Sequence, residues 1–187
     1  NGFHLAKDTV GLDNVYIYDS RQVGAPVMDM AIRAKQLADE GKDVDEIFKV
    51  LEEKTEHSFT FLYPDNFDQL SRSGRLSPMA ARMASMLKIK ALLCLDEQGK
   101  SVDKYSMSRT EVKVLKAITD KFHELGVNAE KYKIYISHAN NIVFAKKSKL
   151  LLQTAFHGIE VEINNLPAVL TCHGGLACCA LHSTYKI

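Results

Sequence analysis

The apolar residues of this chain switch period repeatedly between about two and about 3.6, and that switching restricts it to folds that layer helices on a sheet. Val15-Tyr16-Ile17-Tyr18 is a short β-branched and aromatic run that ends at the turn pair Asp19-Ser20. Val27, Met30, Ala31, Ala34, Leu37 and Ala38 then recur at helical spacing, with Gly41 as a stop. Val44, Ile47, Phe48 and Leu51 continue on a second helix, and Phe59 to Leu62 reads as a buried strand. After residue 90 the order is strand Ala91–Leu95, turn 96–100 and return strand Val102–Met107, a hairpin. Helical stripes follow at Leu115, Ile118, Phe122 and Leu125 and over Ile142–Phe156, with strands at Ile134–Ile136, Ile159–Ile163 and Ala168–Thr171. The expected class is α/β, with antiparallel pairing in the second half.

Ser71-Arg72-Ser73-Gly74-Arg75 is small, polar and basic after the break at Pro64-Asp65. It is the expected domain boundary, with residues 1–73 forming the remainder of an N-terminal parallel α/β domain and residues 74–187 a C-terminal domain with a mixed sheet. Ser77-Pro78 opens the next helix, Ser77 as N-cap and Pro at the first helical position, where no backbone bond is lost.

Composition excludes several functions. Of 187 residues, 46% are hydrophobic, enough for a sizeable core. Lys plus Arg number 24 against 23 Asp plus Glu, so the net charge of +1 gives no bulk attraction to nucleic acid or membrane. The four cysteines, three of them between residues 172 and 179, make a poor disulfide framework and fit a reducing, cytoplasmic compartment. No run qualifies as a secretory signal or membrane span. The chain opens at Asn1 without Met, as a truncated start would. No nucleotide, zinc-protease or hydrolase signature occurs, and the Cys/His spacing is wrong for zinc.

Four features could carry chemistry. Thr171-Cys172-His173-Gly174-Gly175 offers an imidazole and two glycines whose backbone N–H groups could approach an anion; a plain glycine turn reads as well. Cys172, Cys178 or Cys179 could be a nucleophile beside His173, although small buried thiols are the commoner use of Cys. Met79, Met83 and Met86, beside Ala80, Ala81 and Ala84, would make either core or an adaptable wall for a flexible apolar ligand. Arg75 and Arg109 stand at element ends, where an Arg can pair with phosphate or carboxylate. The lysines of the 142–156 helix read as a wetted face.

The ordered motifs say more than each alone. Val15-Tyr16-Ile17-Tyr18-Asp19-Ser20, Ser73-Gly74-Arg75-Leu76-Ser77, Leu87-Lys88-Ile89-Lys90, Ser106-Met107-Ser108-Arg109-Thr110 and Cys172-His173-Gly174-Gly175 follow the order and spacing of the bacterial DegV family. The resemblance implies a two-domain fold whose interdomain tunnel holds a long-chain fatty acid. It implies a non-enzymatic, lipid-binding subunit of fatty acid kinase, needing no cofactor, that presents the carboxylate to a separate ATP-dependent kinase subunit. The acyl phosphate formed would feed phospholipid synthesis, and transient membrane contact is compatible with that role.

By the same resemblance His173, Gly174, Gly175 and Asn1 would hold the carboxylate, with Asn1 in place of the family's Ser. Met83, Met86 and Leu87 would line the acyl chain, and Arg109 and Arg75 would meet the kinase or the phosphoryl group. The family's N-terminal stretch, which supplies a Thr to the site, has no counterpart in this sequence. The competing expectations are a thiol- or His-dependent hydrolase and a regulatory interaction module.

Overall fold

The structure is a computed structural model that describes residues 2–77, 80 and 89–187. Six strands form one mixed sheet in the order β3-β2-β1-β6-β4-β5. They are β1 Phe59–Tyr63, β2 Lys90–Leu95, β3 Val102–Ser108, β4 Tyr132–His138, β5 Glu160–Asn165 and β6 Cys179–Tyr185. Seven helices are present among the described residues: α1 Gly2–Val10, α2 Ala25–Asp39, α3 Val44–His57, α4 Asp68–Arg72, α5 Glu111–Glu124, α6 Ile142–Ala155 and α7 Ala168–Gly174. Of these six strands only β4 and β5 pair in parallel, joined by α6 as the crossover such a pair requires.

The sheet separates two cores by its period of two. Phe61, Leu92, Ile134, Ile136 and Leu181 face one side, where Ile118 and Phe122 of α5 and Phe144 and Leu152 of α6 cover them. Thr60, Leu62, Ala180 and His182 alternate to the other side, which α2, α3, α4 and α7 cover. On that side Lys54 of α3 is almost fully buried and pairs with Asp29 of α2 at 2.8 Å. The Tyr135 hydroxyl donates to the same carboxylate at 3.1 Å, tying both helices to β4. Helix α3 begins with a reciprocal cap: Glu46 N–H donates to the Asp43 side chain at 2.9 Å, and Asp43 N–H to the Glu46 side chain at 3.2 Å.

The helices expected over 27–38, 44–51, 115–125 and 142–156 and the β2–β3 hairpin are all present. Ser77 behaves as a cap, its Oγ accepting from Ala80 N–H at 3.1 Å. Three expectations are corrected. Residues 15–23 have no regular structure. A strand needs a neighbouring backbone edge, and this segment is held by side chains instead: the Tyr18 hydroxyl lies 2.8 Å from both Glu52 and Thr55, and Arg21 pairs with Glu52.

The boundary at Ser73 does not separate two layers. β1 precedes it yet lies inside the sheet, between β2 and β6. It runs antiparallel to both neighbours, with Phe61 buried in one core and Leu62 packed against the other, so it is not part of a separate parallel layer. Ser71–Arg75 is the end of α4, with Gly74 at φ 66° turning the chain into a bridge from Leu76 to Val102.

Finally, Ala168–Thr171 belongs to α7 and not to a strand. Pro167 caps the helix, and Thr171 N–H donates to the Pro167 carbonyl at 2.9 Å. The last strand is β6, whose His182, Ser183 and Thr184 are buried.

Candidate functional site

The second face of the sheet carries a cavity of about 100 Å³. Leu62 of β1, Leu95 of β2 and Ala180 of β6 form its floor, and Leu70 of α4 with Leu170 of α7 forms its roof. Val23 and the β2–β3 turn, Gly99 to Val102, close one side. Most of the lining residues are aliphatic, and Arg75, Lys100 and His173 are those with nitrogen-bearing side chains.

His173 is in the last turn of α7, and its Nδ1 is buried with no hydrogen-bond partner. A buried ring nitrogen without a partner is costly unless a bound group completes it. Arg75 is exposed, its guanidinium donating to the Ser73 carbonyl at 2.9 Å. Lys100 donates to Gln98 at 2.8 Å from the hairpin turn. Two cationic side chains and an imidazole around an aliphatic hollow suit the anionic end of a ligand whose adjoining part is apolar.

The glycines serve differently from the expectation. Gly175 spends its N–H on the Thr171 carbonyl at 2.8 Å, so it is no donor to a ligand. It sits at φ 82° as the cap of α7. Gly174 is there for packing: a Cβ on it would meet Cys178 Sγ at 2.8 Å. Both lie at a helix C-terminus, where the backbone presents carbonyls that repel an anion. The charge of a bound carboxylate must therefore be met by side chains.

Arg109 is exposed beyond the far end of β3 from Val102, about 20 Å along the strand. Arg75 and His173 both line this cavity, and Arg109 does not. Asn1, Met79, Met83, Met86 and Leu87 lie outside the described residues.

The thiols do not form a catalytic pair with His173. Burial pushes the Cys178 and Cys179 thiols up to about 12, which keeps them protonated at neutral pH. Cys172 is exposed and adjacent to His173 on one helix, so the two side chains point about 100° apart. No cluster among the described residues could hold a metal ion.

Sequence reasoning missed His182, which is completely buried on β6. Its Nδ1 lies 2.8 Å from Thr60 Oγ1, and Thr60 donates its own proton to Gln22 at 3.1 Å. That order assigns the proton to Nδ1 and leaves Nε2 as an unpaired acceptor close to Gly24. Burial lowers its pKa to about 3, so the ring is neutral. Lys100 and Val23 were missed as well, because only the long-range closure of the hairpin turn on the 15–23 segment brings them to the cavity.

The family model described as "Uncharacterised protein, DegV family" matches residues 1–186. The chain belongs to the DegV family. A fatty acid binding DegV family protein of Streptococcus agalactiae has the same fold at TM-score 0.88 and 26% identity, over 100% of this chain and 65% of that one. DegV of Bacillus subtilis, a fatty acid binding protein, superposes at TM-score 0.79 and 26% identity, over 97% of this chain and 64% of its own. A DegV domain-containing protein of Streptococcus pyogenes serotype M1 is 28% identical over 169 residues, which are 90% of this chain and 59% of that protein. The chain thus spans somewhat more than half the length of the curated DegV relatives it matches.

Proposed function

We propose that this DegV chain holds a long-chain fatty acid with its carboxylate at His173 and Arg75, and presents that carboxylate to a separate ATP-dependent kinase subunit. The unpartnered Nδ1 of His173, buried at an aliphatic cavity beside Arg75, is the observation that carries the reading. The likeness to the fatty acid binding protein of S. agalactiae supports it. An acyl chain gains about 0.8 kcal/mol for each buried CH₂, so the hydrocarbon supplies the affinity. The carboxylate enters apolar surroundings only against hydrogen-bond donors. His173 supplies a directional one, while Arg75 and Lys100 supply charge from the more exposed side.

Small-molecule sites measure about 300–1,000 Å³, more than the 100 Å³ of the cavity. The remainder of the acyl chain would run against Met83, Met86 and Leu87, which follow Ser77 closely in sequence. Acyl-phosphate formation needs a carboxylate oxygen aimed at the γ-phosphorus of ATP, with ADP leaving on the opposite side. The part of this chain is to hold that oxygen still, since orientation alone lowers such barriers by several kcal/mol. Arg109, distant from the cavity, is suited to meet the kinase subunit itself.

Mass spectrometry of organic extracts from the purified protein tests the reading. A stoichiometric C16–C18 acid, lost on delipidation and regained on adding oleate, is expected. A chain that neither carries nor rebinds a fatty acid would overturn it, and an acyl thioester on Cys172 would favour a hydrolase instead.

A further inference from the structure

The turn that closes one side of the cavity is organised around a single carboxylate. Asp96 follows directly on β2, and the chain enters β3 after Ser101. Asp96 Oδ1 accepts from Gln98 N–H at 3.1 Å and from Lys100 N–H at 2.8 Å. Its Oδ2 accepts from Ser101 N–H at 3.0 Å and from the Ser101 hydroxyl at 2.7 Å. Gly99 N–H donates to the Asp96 carbonyl at 3.0 Å. The backbone N–H groups of four successive residues, 98 to 101, thus all end on Asp96. Successive N–H groups that converge in this way form a nest for an anion, and here the anion is the chain's own carboxylate. Burial raises the Asp96 pKa, while the Ser101 hydroxyl and the N–H groups lower it by more, so the carboxyl stays below its ordinary value and is ionised at neutral pH.

The hairpin is closed by backbone without that carboxylate. Asp96 N–H donates to the Ser101 carbonyl at 3.0 Å, and Gly99 at φ 65° makes the reversal. What the carboxylate adds is a fixed direction for the residues between. Gly99, Lys100 and Ser101 all line the cavity. Lys100 is exposed, and its Nζ donates to the Gln98 side-chain oxygen at 2.8 Å. That partner is a neutral amide, which leaves the ammonium its full charge. Gln98 and Lys100 donate their N–H groups to the same oxygen, Asp96 Oδ1, so Asp96 sets the backbone under both ends of the contact.

We propose that Asp96 is a positioning residue for ligand recognition: by filling the nest it holds the turn in the form that keeps Lys100 at the cavity, where the ammonium meets the anionic end of the ligand. This deepens the fatty acid reading and rests on it. Asp96 itself touches no ligand. Its effect passes through Lys100 and therefore falls on the charged end of the ligand and not on the hydrocarbon. Lys100 acts from the exposed side, so its contribution is modest and is screened by salt.

Equilibrium binding of oleate and of oleyl alcohol to the delipidated intact chain tests this, since the two ligands share a hydrocarbon chain and differ in charge. Asp96→Ala should weaken oleate about fivefold, the scale of an exposed charge pair, and leave oleyl alcohol within about twofold. The oleate difference between wild type and variant should shrink as salt rises to about 1 M, where the screening length is about 3 Å. A turn that served only as a wall would weaken both ligands alike at every salt concentration. Lys100→Ala should reproduce the oleate loss, and Asp96→Ala added to it should change the ratio of the two affinities no further. Asp96→Asn, which still accepts from Gln98 and Lys100 through one oxygen, should recover most of the oleate affinity. Lys100→Ala and Asp96→Asn carry the test if Asp96→Ala does not fold. Equal weakening of oleate and oleyl alcohol by Asp96→Ala, or unchanged oleate binding by Lys100→Ala, would overturn the inference and leave the fatty acid reading standing. A wild-type chain that binds neither ligand would overturn that reading itself, and the inference with it.

Discussion

Gly99 lies against the backbone of Arg21 so closely that a Cβ on it would stand 2.8 Å from the Arg21 Cα and nearer still to its carbonyl. Gly99 has φ 65° and Arg21 φ 52°, so both turns are tight where they meet. Backbone cannot yield as a side chain can. Gly99→Ala is expected to cost about 2–4 kcal/mol in urea unfolding, from the left-handed conformation and the clash together. It should also loosen the cavity, since Gly99 and Val23 both line it. A cost within about 0.5 kcal/mol, the scale of an ordinary surface change, would refute the tight closure.

Gly174 and Cys178 make a second, softer close approach. A Cβ at 174 would stand 2.8 Å from Cys178 Sγ and 3.2 Å from its Cβ. Gly174→Ala alone should cost about 1–3 kcal/mol. Cys178→Ala removes the sulfur, so the double variant should be more stable than the two single effects added together. Strict additivity in thermal or urea unfolding would show that the sulfur is not what excludes a side chain there.

His182 gives stability a pH dependence of definite sign. Its pKa falls from 6.5 to about 3 on folding, so the unfolded chain binds more protons between those values. Stability from this group is therefore complete above about pH 6.5 and falls as pH drops toward 3, by up to about 1.4 kcal/mol per unit. His182→Asn keeps an N–H for Thr60 and has no titrating ring. The stability gap between wild type and variant should narrow as pH falls below 6.5. A gap that stays constant from pH 7 to pH 4 would show that the ring is not held neutral.

Thiol reactivity should divide along burial. Cys172 is exposed, while Cys178 and Cys179 are buried with raised pKa values. At pH 8, Cys172 should react with iodoacetamide first, and the buried pair only on unfolding. Peptide mapping after brief labelling checks this. Early modification of Cys178 or Cys179 would reopen the thiol mechanism.

His173→Ala should weaken oleate retention by about 10–100-fold, the worth of one hydrogen bond to a charged group. Acyl-phosphate formation with the kinase subunit should fall further, because an untethered carboxylate loses its orientation. Arg75→Ala should act in the same direction but less, since that side chain is exposed to water and salt. Full acyl-phosphate formation by the preloaded His173→Ala protein would remove the imidazole from the mechanism.

The elements that sequence displays best are those whose burial is one-sided and regular. Helix α5, with Ile118 and Phe122 buried and Lys116 and Asp120 outside, could be read from its stripe. So could the β2–β3 hairpin. Strand β6 could not, because its interior places are taken by His182, Ser183 and Thr184, and Thr60 gives His182 a partner that no local pattern reveals. Val15–Tyr18 shows the reverse error, a strand composition on a segment with no strand beside it among the described residues. At the site, His173 was visible as an imidazole before two glycines. The reason for those glycines was not, since it lies in Cys178 and in the end of α7. Arg75, Lys100 and His173 come from three separate segments and line one cavity only when the sheet is complete.

The place of β6 between β1 and β4 has a consequence for how the chain is made. Every other strand is synthesised before it, yet β3-β2-β1 and β4-β5 share no edge until residues 179–185 arrive. On a ribosome the two groups of strands would wait as separate, open-edged pieces, and β6 would join them in a late step that closes a loop of more than a hundred residues from β1. Such closures are slow and leave strand edges exposed to other chains meanwhile. The polar side chains buried in β6 then act as a safeguard: a nascent strand carrying His, Ser and Thr in sequence is a poor template for aggregation until it docks beside Thr60 of β1.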